Sequence, residues 1–174
     1  TVSTYAGATG QSGFVDGDRL SARFNFPYSI TATSDGALYI ADKENHAIRK
    51  IQNNTVTTIT TTTGTAVGTR DQVRQDVRDN GPNLYVPDSA NTADVQIPYV
   101  HDIKDGGNNT LIVGDHYSNS LRRIDLTNET IARFFTHPDP TSRLACVSPD
   151  PQGLVGPVDD VLTVWIVVGD GDRG

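Results

Sequence analysis

Four histidines, His46, His101, His116 and His137, are the side chains of this 174-residue chain best suited to hold a metal or move a proton near neutral pH. A zinc site needs three or four ligands converging on one point, so their worth depends on where the fold places them. Three aspartates, Asp42, Asp115 and Asp170, recur after short apolar runs and could form either a carboxylate ring or a turn device. The segment GDGDRG (169–174) resembles a calcium loop but lacks its regular carboxylate spacing and closing acidic ligand. There is no Gly-x-Ser-x-Gly elbow, no P-loop and no Cys-His nucleophile pair. The Gly-rich stretch 7–17 precedes no helix of useful length, so it is not read as a phosphate cradle. The single cysteine, Cys146, cannot make an internal disulfide. It is expected to be a buried apolar thiol, with an intermolecular bridge as the alternative. Three Asn-x-Thr sequons, at Asn53, Asn108 and Asn128, fall in expected turns, where a glycan acceptor has to lie.

The elements that must position these residues are set by an internal repeat. LYIADKENHAIRKI (38–51) aligns without a gap on LIVGDHYSNSLRRI (111–124), which pairs Asp42 with Asp115 and Arg49 with Arg122. Upstream, ARFNFPYSI (22–30) aligns on ADVQIPYVH (93–101), pairing Pro27 with Pro98 and Ile30 with His101. Downstream, TVTTIT (55–60) matches TIARFF (130–135). IVVGD (166–170) repeats LIVGD (111–115), which opens a third copy, and VSTYAG (2–7) resembles VTTITT (56–61). Each copy reads as four short strands: one after the proline, an apolar one buried on both faces, and two more separated by polar turns. Four meandering strands in about forty residues, repeated, is the pattern of β-propeller blades.

The first copy closely resembles an NHL repeat. The elements that carry the resemblance are Ala6-Gly7, Asp16-Gly17, Ala22-Arg23-Phe24 with Pro27, Tyr39-Ile40-Ala41-Asp42, Asn45 and Ile48-Arg49. The second copy has Ser118 where Asn45 stands and no matching Asp-Gly loop. The resemblance implies an all-β fold of four-stranded antiparallel blades in an incomplete ring. Residues 1–7 are then the last strand of a preceding blade, 22–60 blade 1, 61–92 a loop insertion, 93–136 blade 2, 137–156 a proline-rich connector and 157–174 part of blade 3. Within 61–92, Val73 and Val77 lie one helical turn apart and predict a short surface helix over 70–79. Asp42, Asp115 and Asp170 become turn residues needed once per blade. An open arc leaves an apolar face and sheet edges in water. Further blades of the same chain, or neighbouring protein subunits, are therefore expected to complete it.

Function classes follow by elimination. With 14 Lys and Arg against 21 Asp and Glu, the formal charge of −7 argues against a broad phosphate-binding face. Arg49, Lys50, Arg122 and Arg123 recur in register and are read as solvated strand faces, with a basic patch as the alternative. No apolar run is long enough to span a bilayer. The chain opens on Thr1 and contains no Met, which predicts a processed product or part of something longer. The leading expectation is a non-enzymatic structural or interaction module of an extracellular or cell-surface protein, a repeating subunit of a larger assembly, without cofactor or metal and with glycan on its sequons. Some NHL-like propellers are lyases that cleave peptidyl-hydroxyglycine at a central histidine-ligated metal. On that resemblance His101, on the channel-lining strand, is the one candidate ligand. RNA binding, known for some intracellular relatives, is the third alternative.

Overall fold

The computed structural model describes residues 1–60, 89–92, 97, 100–115, 120–136, 143–149 and 164–169. The first sheet is a meander of β2 (Pro27–Ala32), β3 (Leu38–Asp42), β4 (Ala47–Gln52) and β5 (Thr55–Thr58), with β1 (Gly17–Asp18) paired to the outer edge of β5. The second repeats it with β7 (Val100–Gly107), β8 (Thr110–Asp115), β9 (Ser120–Asp125) and β10 (Thr130–Thr136), and β6 (Ser89–Asn91) lies outside β10. A hairpin of β11 (Arg143–Pro149) and β12 (Val164–Gly169) follows. These are antiparallel blades of an incomplete β-propeller, as the repeat requires.

Local chemistry explains the phase of each blade. Asn53-Asn54 and Asn108-Asn109 each supply two consecutive residues of positive φ, the combination a two-residue hairpin loop of matching twist demands. Leu38 to Asp42 has side chains withdrawn from water on both faces, as expected for the apolar second strand. A single 3₁₀ turn, Lys43–Asn45, closed by His46 in the left-handed region, reverses the chain between β3 and β4.

Blades 1 and 2 stack through one apolar cluster. Ala37, Tyr39, Ala41 and Ile48 of blade 1 meet Ile97, Val100, Ile103, Leu111, Val113, Ile124 and Ile131 of blade 2, nearly all fully buried. Small residues alternating with Tyr39 let the two sheets approach closely. The innermost strands β2 and β7 run side by side in the same direction and are joined by side-chain hydrogen bonds. The Ser29 hydroxyl donates to Asp102 Oδ1 (2.6 Å), and the Asp105 amide donates to Thr31 Oγ1 (3.1 Å). β11, paired with β12, lies against β7 and β8.

The fold departs from the sequence expectation in four places. Residues 2–7 form no strand. Each blade gains a short fifth outer strand, and β6 falls at the end of the stretch read as the 61–92 insertion. The connector expected over 137–156 contains β11, which ends on Pro149. The helix expected over 70–79 lies outside the described residues.

The blade interface should dominate stability. Leu111→Ala, at a fully buried position, is expected to cost about 2–5 kcal/mol, read from the urea unfolding midpoint at constant m-value.

Candidate functional site

The strongest concentration of charge in blade 1 is a buried network around Arg49. Arg49 sits opposite Ile40 on β3, and Asp42 is two residues further along the same face, so the two side chains meet diagonally. Arg49 Nη1 donates to Asp42 Oδ2 (2.8 Å) with both side chains fully buried. Arg49 Nη2 reaches Asp16 Oδ1 (2.6 Å), whose carboxylate is half exposed, and the carbonyl of Val15 (2.8 Å). The carbonyl of Arg23 accepts a further bond from Nη1 at 3.0 Å. The guanidinium lies between the rings of Phe14 and Phe24, 4.7 and 5.0 Å from their centroids. Asp42 in turn accepts from the Asn25 amide (2.7 Å) and from Asn45 Nδ2 (2.7 Å), which also donates to the carbonyl of Gly13. Burial pushes the Asp42 carboxyl up, while Asn45, the Asn25 amide and Arg49 pull it back down. Chemically, the network holds loop 13–25 against the sheet.

This corrects the reading of the matched arginines as solvated strand faces or a basic patch. Arg49 and Arg122 are both fully buried, because each faces an aspartate on the neighbouring strand. In blade 2 Arg122 Nε lies 3.9 Å from Asp115 Oδ2, with both side chains again buried. The signal was present in the sequence: Asp and Arg recur together, seven residues apart, in both copies. Asp42 therefore does more than shape a turn. Asp170 lies outside the described residues, as do His116, His137 and Ser118, and nothing further is described of the Cys146 side chain.

At the inner edge, His101 on β7 stacks on Tyr28 of β2 with ring centroids 4.1 Å apart. Lys43 Nζ lies over Phe26 and Tyr28 at 4.8 and 5.0 Å. Burial and then the Lys43 charge lower the His101 pKa, with Asp102 opposing them in part. A central histidine metal site is not assembled by these residues. The strand register corrects the alignment of His101 on Ile30: Ile30 pairs with Ile40 as Ile103 pairs with Val113, so the position in blade 1 equivalent to His101 is Tyr28. Among the described residues no three His, Cys, Asp or Glu come together to hold a metal ion. His46 closes the β3–β4 turn.

The three sequons share one end of the arc. Since β2 and β7 run in the same direction, the β4–β5, β7–β8 and β9–β10 turns that carry Asn53, Asn108 and Asn128 project together, all exposed. The inner-edge group of Phe26, Tyr28, Lys43 and His101 lies at the opposite end, where β2 and β7 begin. Asn128 Nδ2 donates to Asp125 Oδ2 (2.7 Å), and bonds from Asn128 and Thr127 hold the Asp125 carboxyl below its ordinary value.

Among the described residues no helix is long and apolar enough to cross a membrane. Residues 24–51 match the family model of the NHL repeat. No curated protein matches the chain. Among solved structures, it is similar to a structural-genomics protein of unknown function from Bacteroides thetaiotaomicron, at 18% identity and a TM-score of 0.50, covering 74% of this chain and 26% of that one. It is also similar to a selenomethionine-substituted virginiamycin B lyase from Staphylococcus aureus, at 18% identity and a TM-score of 0.50, covering 86% of this chain and 36% of that one. The chain thus spans well under two thirds of either structure, and the likeness is one of fold.

Two outcomes are expected. Asp42→Ala strands a buried guanidinium and should cost about 3–5 kcal/mol. Asp16→Ala, at a half-exposed partner, should cost about 1 kcal/mol, with both compared by urea unfolding. Folding lowers the His101 pKa, so the unfolded chain binds more protons as pH falls below the ordinary value of 6.5. Its contribution to stability is therefore complete above that pH and declines below it. Unfolding midpoints of wild type and His101→Gln, measured from pH 8 to about pH 5, should diverge only on the acid side.

Proposed function

We propose that this arc of NHL-type β-propeller blades is a non-enzymatic structural and protein-interaction module of an extracellular or cell-surface protein, built into a larger assembly. The observation that carries the reading is the fate of the recurring charged residues. Asp42, Arg49, Asp16 and Asn45 are spent on one another and on the backbone of loop 13–25. Asp115 and Arg122 are likewise buried side by side. The side chains that repeat from blade to blade thus build the blade.

An extracellular setting is supported by the sequons. Asn53, Asn108 and Asn128 sit in exposed turns at one end, where glycan would leave the blade faces and the inner edge uncovered. The RNA-binding alternative loses its main support, since Arg49 and Arg122 offer no guanidinium to a phosphate. The lyase alternative rests on His101, with Tyr28 at its counterpart position.

Intact mass of the native protein before and after treatment with an N-glycosidase tests the reading. A mass loss is expected, reduced stepwise by Asn53→Gln and Asn108→Gln. Unmodified protein carrying one equivalent of metal that His101→Ala abolishes would overturn it in favour of the enzyme. Unmodified protein that binds RNA in a steeply salt-dependent way would overturn it in favour of the RNA-binding module.

A further inference from the structure

Blades 1 and 2 part at the end that carries the sequons. A cleft of about 470 Å³ opens there between β4 and β5 of blade 1 and the β7–β8 and β9–β10 turns of blade 2, within the roughly 300–1,000 Å³ of small-molecule sites. Both walls are built from these two blades, which the apolar cluster holds together. The lining divides by chemistry. Ile59 and Leu126, partly buried against that cluster, supply apolar surface. Thr57, Lys50, Asp125 and Glu129 add a hydroxyl, an ammonium and two carboxylates. With both signs present, the lining favours neither a cation nor an anion. It matches a neutral, hydroxyl-rich ligand, since a hydroxyl donates to a carboxylate and accepts from an ammonium.

One sequon is tied to this cleft. Asn128 Nδ2, the atom that carries the sugar in an N-glycan, donates to Asp125 Oδ2 at 2.7 Å, and Asp125 lines the cleft. The same carboxylate accepts the amides of Thr127 and Asn128 at 2.8 and 3.0 Å, so the turn is fixed before any sugar is added. Attachment bonds Nδ2 to the anomeric carbon of a glycosyl diphosphate donor, breaks that carbon's bond to phosphate and releases one of the two amide protons. The second N–H remains to donate to Asp125, which sets the first sugar at the mouth of the cleft. Glu129, the next residue, stands at φ 53, where glycine would be unstrained. That strained position is occupied by a residue that lines the cleft. In the Asn53 turn, by contrast, Asn54 is bonded to Arg19 and Asp18 of the outer loop. We infer that the cleft between blades 1 and 2 seats the first sugars of an N-glycan carried on Asn128, which thereby touches both blades.

The inference rests on the reading of the chain as a glycosylated extracellular module, and its test separates the two. Native glycoprotein is treated with an N-glycosidase, which converts each released asparagine to aspartate, and release is followed site by site from peptide masses. Relative to the urea-unfolded chain, folding should slow release at Asn128 at least about tenfold more than at Asn53 or Asn108, because it waits on opening of the cleft. Thr57→Arg alters an exposed residue on the blade 1 wall and fills the cleft. It should bring release at Asn128 up to the rate at the other sites and leave the urea midpoint of the glycan-free chain unchanged. Three results would overturn the inference and leave the extracellular module standing. They are release at Asn128 as fast as elsewhere in the folded chain, slow release that Thr57→Arg does not change, and glycan on Asn53 and Asn108 with none on Asn128. Protein without glycan at any sequon overturns both.

Discussion

A guanidinium without water has to be answered on every side, and that requirement organises the first blade. An isolated charge in a protein interior costs several kcal/mol even after relaxation. Arg49 therefore needs Asp42 on the next strand, Asp16 and two carbonyls from the loop that precedes the blade, and aromatic rings above and below. Apart from Asp42, which β3 itself supplies, none of these partners is in place unless loop 13–25 is folded across the outer part of the sheet. Once it is, Asp16 also accepts from the amide and hydroxyl of Thr58, and β1 pairs with β5. Asn45 closes the arrangement by joining Asp42 to the carbonyl of Gly13. A single buried cation thus couples the loop, the β3–β4 turn and both central strands.

Between blades the adhesive is different. The contact is apolar and shape-dependent, with alanines on either side of Tyr39 accommodating the branched residues of the second sheet. Polar bonds join the innermost strands, where Ser29 and Thr31 accept amides of β7 and Ser29 donates to Asp102. Specificity of register is therefore written at the inner edge and cohesion across the faces.

The repeat made much of this legible. Aligning 38–51 with 111–124 placed β3, β4, β8 and β9, and the turn residues between them bounded the neighbouring strands. What escaped has physical causes. β1 and β6 are two and three residues long and exist because an outer edge is available, so no periodicity announces them. β11 lies in a proline-rich stretch, and only its last residue is a proline. Arg49 and Arg122 read as surface residues because burial of a charge depends on a partner in another strand. Local pattern does not show that partner, although the paired recurrence of Asp and Arg does. Of the candidate site residues, His101 was placed on the inner strand from alignment alone, whereas its stacking on Tyr28 needed the neighbouring blade.

The path of the chain into blade 1 has a further consequence. β1 pairs with the outermost strand, and the chain then crosses the blade to begin again at the innermost strand, β2. The sequence repeat begins at Ala22, but the mechanical unit begins near Gly13, with its opening and closing segments bonded together at the rim. An excision at the repeat boundary would therefore detach a clasp. A gene fragment or proteolytic product cut there would keep all four main strands and lose the segment that shields its internal charge.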